Sequence, residues 1–225
     1  MNSNVKKLNS KIIKCNKCSR LVKFRKEISI KKRKQYQDQK YWGKPITGFG
    51  DIYGKILFVG LAPAAHGGTR TGRVFTGDKS SEFLYKCLFK ANISNQINSD
   101  HLLDGLKLKN AFITTALKCV PPEDKPEKKE IDNCFGFFDQ EIKNLKNLKI
   151  IVALGKIAFD TCIYFFKKNY NFIDKANFTH GGIYNLPNNI KLVGCYHPSP
   201  RNVNTGRINE KKMTNLFLKV KKLIN

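Results

Sequence analysis

The chain reads as an α/β protein: a three-layer α/β/α sandwich around a central, mainly parallel four-stranded sheet, with an N-terminal cysteine-bearing appendage. Three observations predict this. Four short apolar runs rich in β-branched and aromatic residues alternate with amphipathic helical stretches, the pattern of parallel strands joined by helical crossovers. The 225 residues suit a single domain, 1–225. With 41% hydrophobic and 11% aromatic residues, a chain of this length buries enough surface to fold without disulfide staples.

In chain order, a basic segment (1–54) carrying Cys15 and Cys18 precedes the core (55–225). Ile56–Gly60 is the first strand. Ser80–Ala91 follows as a helix with Phe83, Leu84, Cys87, Leu88 and Ala91 on one face. Ala111–Leu117 is the second strand, and Pro126–Leu145 a helix burying Ile131, Cys134, Phe135, Phe138, Ile142 and Leu145. Ile150–Leu154, the helix Lys156–Phe166, Lys191–Tyr196 and the helix Glu210–Ile224 complete the alternation. Sites in such sheets sit at the carboxyl ends of the strands. That gathers Leu61–Asp78, Lys118–Lys125, the turn after Leu154 and His197–Arg207 around one crevice.

The charge is extreme: 42 Lys+Arg against 17 Asp+Glu, a net +25. Such a field favours polyanions, nucleic acid above all, although a drift toward lysine in composition accounts for part of it. Arginine is placed less evenly. Arg70, Arg73, Arg201 and Arg207 fall in two glycine- and proline-marked loops, where a guanidinium fork suits phosphate, and all four are expected to bind a nucleic-acid backbone. The longest apolar stretches are too short to span a membrane and the polar start Met1–Ser10 has no secretory pattern, so a cytoplasmic protein is expected, with no membrane partner.

Two loops and a set of cysteines carry the chemistry. The first loop, from Gly60 to Asp78, is glycine-rich and permits close backbone approach to a ligand. Its P-loop likeness is poor, because Arg73 and Val74 stand where lysine and a hydroxyl belong. Asp78 either caps the helix that follows or faces the crevice to orient water or stabilise a cation, and both roles are compatible. Phe75 is either core or a stacking surface for a flat ligand. In the second loop, His197-Pro-Ser199-Pro-Arg201-Asn202, rigid prolines present polar groups outward, and Ser199, Arg201, Asn202 and Arg207 are placed to follow a phosphate backbone. Cys15 and Cys18 have ligand spacing. Cys119 and Cys134 complete a set of four that suits zinc or a [4Fe–4S] cluster, and Cys134 also fits the apolar face of its helix.

Together the loop GLAPAAHGGTRTGRVFTGD, the Cys-Val-Pro-Pro stretch and HPSPRNVNTGR resemble the uracil-DNA glycosylase superfamily, most closely its iron–sulfur family 5 (type b), with family 4 next. Gly60-Leu-Ala-Pro-Ala64 is the family 5 form of the first motif. The resemblance implies a hydrolase that flips a deaminated base, uracil and also hypoxanthine or xanthine, out of DNA and leaves an abasic site. It implies Asp78 and His197 as catalytic residues and Phe75 as the stacking ring, with Ala62, Thr115 and Asp124 at the base. It also implies Cys15, Cys18, Cys119 and Cys134 as ligands of a structural [4Fe–4S] cluster, zinc being the lesser candidate. Thr69 and Asp124 depart from the family pattern, each standing where Asn is common. A monomer is expected. The alternative is a metal-bound nucleic-acid-binding protein without catalysis.

Overall fold

The computed structural model describes residues 3–224; Met1, Asn2 and Asn225, the ends of the span read as one domain, lie outside the described residues. Two N-terminal helices, α1 (Ser3–Ile13) and α2 (Ser19–Lys31), lead into a six-stranded sheet. The strands are β1 (Phe49–Gly50), β2 (Ile56–Gly60), β3 (Ala111–Thr115), β4 (Ile150–Leu154), β5 (Ile183–Leu186) and β6 (Ile190–Cys195). Their order is β1-β3-β2-β4-β6-β5. The four central strands are parallel, and β1 and β5 pair antiparallel at the two edges.

The expected four strands are thus the parallel centre, and the sheet is larger than expected by two edge strands. Neither edge strand has the apolar run that marks a strand buried on both faces. β1 is two residues long, and β5 keeps only Leu186 fully buried. Such strands are held by the ladder they join.

Helices cover both faces. After the single turn α3 (Gly68–Thr71), α4 (Lys79–Lys90) and α8 (Glu210–Lys222) pack on one, α5 (Lys128–Asn144) and α6 (Lys156–Tyr170) on the other. Strand alternation explains the division. Ile56 and Phe58 point to the first core, Leu57 and Val59 to the second; Ile150, Val152 and Leu154 oppose Ile151 and Ala153 in the same way. Each fully buried side chain of this size contributes about 1.5–3 kcal/mol. The appendage is helical, which its residue pattern alone left unassigned. Val5, Leu8 and Ile12 form the buried stripe of α1, and Leu8 and Ile12 pack on Phe137 of α5 beside Cys15 and Cys134. No helix among the described residues is long and apolar enough to cross a membrane.

Candidate active site

A cleft of about 540 Å³ opens at the carboxyl edge of the sheet, within the usual range for a small-molecule site. Its walls come from the loop after β2 (Leu61–Ala64, Phe75, Asp78), the turn from β4 into α6, Asp124, and the loop after β6 (His197, Ser199).

Phe75 is buried against this cleft with a left-handed backbone, φ +47°, a conformation that an aromatic residue adopts only where its surroundings hold it. The hold is visible. Ser99 Oγ donates to the Phe75 carbonyl at 2.9 Å, and the ring lies over Gly60, where a Cβ would come within 2.7 Å of Cζ. The ring sits 6.2 Å, centroid to centroid, from His197 at a tilt of 36°.

Asp78 is the N-cap of α4. Its Oδ1 accepts from Ser81 N at 3.0 Å while Asp78 N donates to Ser81 Oγ at 3.0 Å, a reciprocal capping box. Its other oxygen lies against Gly67, where a Cβ would stand 1.9 Å from Oδ2. Burial raises the carboxyl above its ordinary pKa, partly offset by the backbone N–H donors of Ser81 and Ser80. Capping and facing the crevice therefore coexist.

His197 follows β6, and Asn202 Nδ2 donates to its carbonyl at 2.9 Å. Desolvation pushes the imidazole down to about 4, so the ring is neutral near pH 7. A neutral imidazole in a low-dielectric wall donates one N–H without carrying a charge.

The remaining candidate residues divide. Ala62, Asp124 and Ser199 line the cleft. Ser199 also caps the short helix α7 (Pro200–Asn204), accepting from Asn202 N, so Ser199 and Asn202 shape the loop. Arg201 and Arg207 are exposed on it. Three expectations are corrected. Thr115 is buried and its hydroxyl donates to the Leu117 carbonyl at 2.7 Å, outside the cleft wall. Arg70 and Arg73 are buried rather than offered to phosphate. Arg70 donates to the carbonyls of His66 and Gly77 and to Gln39. Arg73 forms a bidentate pair with Asp104, at 2.8 and 2.6 Å, and bonds Thr76 and Ser99. Burial alone would raise the Asp104 carboxyl, but the Arg73 guanidinium and the N–H groups of Leu106 and Asp100 hold it well below the usual range. A guanidinium out of water must be paired, and these two fix the shape of the glycine-rich loop. That loop also spends its amides internally, Thr71 N on Gly67 O and Gly72 N on Gly68 O, which leaves no P-loop cradle.

Cys15, Cys18, Cys119 and Cys134 line one narrow cavity between the appendage and the β3–α5 connection. All four are free thiols. Burial pushes Cys119 up to about 12 and Cys134 up to about 11. Lys118 N donates to Cys134 Sγ at 3.3 Å and Asn133 Nδ2 to Cys18 Sγ at 3.6 Å, the N–H···S contacts that stabilise a thiolate. Among the described residues no three His, Cys, Asp or Glu converge as a single metal ion requires. Four cysteine sulfurs around one cavity are a donor set that suits either zinc or a [4Fe–4S] cluster.

Sequence reading missed the parts that hold the site. Gly60 and Gly67 leave room for the Phe75 ring and the Asp78 carboxylate. Buried Arg25 donates to Asn16 Oδ1 and to the carbonyls of Cys15 and Gly43, bracing the first cysteine loop. Only the glycines had a visible signal, their density in one loop.

With this geometry in place, comparison with known proteins defines the class. Residues 47–221 match the model of the Uracil DNA glycosylase superfamily, and the chain belongs to that superfamily. Its place within it follows from individual relatives. A "Type-5 uracil-DNA glycosylase" of Mycobacterium leprae is 38% identical over 220 residues, 97% of this chain and 95% of that protein. Another of that name from Thermus thermophilus is 37% identical over 209 residues, 93% of each. A "Type-4 uracil-DNA glycosylase" of Archaeoglobus fulgidus is 25% identical over 158 residues, 68% of this chain and 70% of its own length. The likeness is therefore stronger and longer on the type-5 side.

Proposed function

We propose that this protein is a DNA-repair hydrolase, a monofunctional glycosylase that takes a deaminated base out of DNA and hydrolyses its N-glycosidic bond, leaving an abasic site. The observation that carries the reading is the convergence of Phe75, Asp78 and His197 on one cleft at the carboxyl edge of a superfamily fold. A base inside a duplex is out of reach of any such cleft, so it must be extruded at a cost of a few kcal/mol, least for a mispaired base such as uracil opposite guanine. Stacking on the Phe75 ring returns about 1–3 kcal/mol of that cost. As the bond breaks, negative charge gathers on the base and positive charge on the sugar. The neutral His197 N–H serves the first, and the Asp78 carboxylate serves the second or orients the attacking water. Asp124 and Ala62 border the base, and Arg201 and Arg207 meet the strand around it.

The four cysteines are the residues that would hold a [4Fe–4S] cluster, whose contribution is structural: it ties the basic appendage to the sheet. The donor set, the shared cavity and the N–H···S contacts support this. A monomer acting in the cytoplasm belongs to the same reading. The test of function is single-turnover release of uracil from a G·U duplex, read as an alkali-labile abasic site. Purified, folded protein with no release from uracil-, hypoxanthine- or xanthine-containing DNA overturns it. Stoichiometric zinc without iron in anaerobically prepared protein overturns the cluster.

A further inference from the structure

The amino edge of the sheet, opposite the cleft, carries its own basic surface. Lys55 and Lys149 stand immediately ahead of β2 and β4, and Lys191 is the second residue of β6. Lys149 N donates to Lys55 O and Lys191 N to Lys149 O, each at 2.9 Å, so the three begin adjacent strands roughly 4.8 Å apart. Beside them a groove of about 340 Å³ runs between the start of α1 and the end of α5, lined by Lys7, Lys11, Lys143 and Lys146. Among the described residues the side chains of Lys7, Lys11, Lys55, Lys146 and Lys149 make no hydrogen bond or ion pair, whereas Lys143 pairs with Asp139 and Lys191 bonds Asn185. A drift toward lysine would place it at both ends of the strands. The residues that follow the same strands at the carboxyl edge are instead Leu61, Gly155 and Tyr196, with Lys156 one position further on in the cleft wall.

We infer that this edge is a second, sequence-independent binding face for a nucleic-acid backbone, so that one molecule holds a second DNA segment while the cleft works on the first. The identity of the polyanion rests on the proposed function; the face itself does not. Closely spaced, unpaired lysines match a duplex that carries a charge every ~1.7 Å of axis. The groove offers nothing to anchor in a lipid surface or an amphipathic peptide, its one apolar lining residue, Leu8, being buried. The two faces lie at opposite edges of the sheet, separated by α5, which is 17 residues and about 25 Å long.

The experiment uses undamaged duplexes, so it reads no excision. Bead-bound duplex is loaded with the full chain at low salt and offered a second, labelled duplex. Wild type should capture the label, and dissociation from the first duplex should accelerate with free competitor DNA. Lys55→Gln/Lys146→Gln/Lys149→Gln/Lys191→Gln should reduce capture on the order of tenfold and lower the salt slope of binding by about 0.9 for each phosphate that is no longer neutralised. Its thermal melting and its single-turnover base release from a short G·U duplex should match wild type. A control lacking the same charge elsewhere, Lys23→Gln/Lys26→Gln/Lys31→Gln/Lys211→Gln, should capture as wild type does. Absence of capture by wild type, equal loss in both variants, capture that rises with the square of protein concentration, or tighter binding to phosphatidylserine vesicles than to duplex overturns the inference. Failure of base release with capture intact overturns the proposed function instead.

Discussion

Asp78 carries two tasks that one substitution separates. Asn caps a helix about as well as Asp, so Asp78→Asn keeps the capping box. Because burial raises the folded-state pKa, this group's share of stability declines as pH rises from the unfolded pKa through the folded one, and Asn escapes that loss. The expected melting temperature at pH 7 is therefore equal to or above wild type, while single-turnover base release slows on the order of 10²–10³-fold. Equal rates would reduce Asp78 to a cap. His197 runs the other way. Its pKa falls from 6.5 to about 4 on folding, so its contribution is complete above 6.5 and is lost as pH falls toward 4, on the order of 3 kcal/mol. Wild type should lose more stability than His197→Gln between pH 7 and pH 4.5 in paired denaturant titrations. Gly67→Ala tests the site without touching a reacting group: its methyl would meet Asp78 Oδ2 at 1.9 Å, so base release should fall with far-ultraviolet circular dichroism unchanged.

The helices and loops around the cleft differ in what holds them. α1 and α2 reach the sheet through the packing of Leu8 and Ile12 on Phe137 and through the cysteine cavity. Cys15→Ala should therefore lower iron content and soluble yield together, whereas Cys87→Ser, in the core between α4 and α8, should cost packing alone and leave iron unchanged. The glycine-rich loop depends on the Arg73–Asp104 pair, 3% and 7% exposed. Removing one partner of such a pair typically costs 3–5 kcal/mol. Arg73→Met should appear as a fall of about that size in urea unfolding, with the salt slope of DNA binding unaltered. Exposed Arg201→Gln should do the reverse, flattening the slope and sparing stability.

For the molecule as a whole, a charge of +25 predicts DNA affinity that falls steeply with salt, by about 0.9 in log K per log unit for each phosphate neutralised. Affinity unchanged from dilute to physiological buffer would make the charge compositional. Exposed basic groups stand at both edges of the sheet: Arg201 and Arg207 on the loop beside the cleft, and Lys55 and Lys149 ahead of adjacent strands at the amino edge.

The central sheet was legible because its determinants are local. A strand buried on both faces reads as a near-continuous apolar run, and the four such runs coincide with β2, β3, β4 and β6 to within two residues at either end. The carboxyl-edge site was legible for the same reason, since topology alone brings the ends of parallel strands together. Composition and motif spacing also marked Asp78, Phe75, His197 and the cysteines. What they left open was burial, which depends on neighbours distant in the chain. Nothing local separates Arg73, neutralised by Asp104 across 31 residues, from Arg201, free in solvent. Nor does it tell Thr115, bonded to its own strand end, from Asp124, which reaches the cleft. A charged or polar side chain takes its role from the partner that compensates its desolvation, and that partner is supplied by packing.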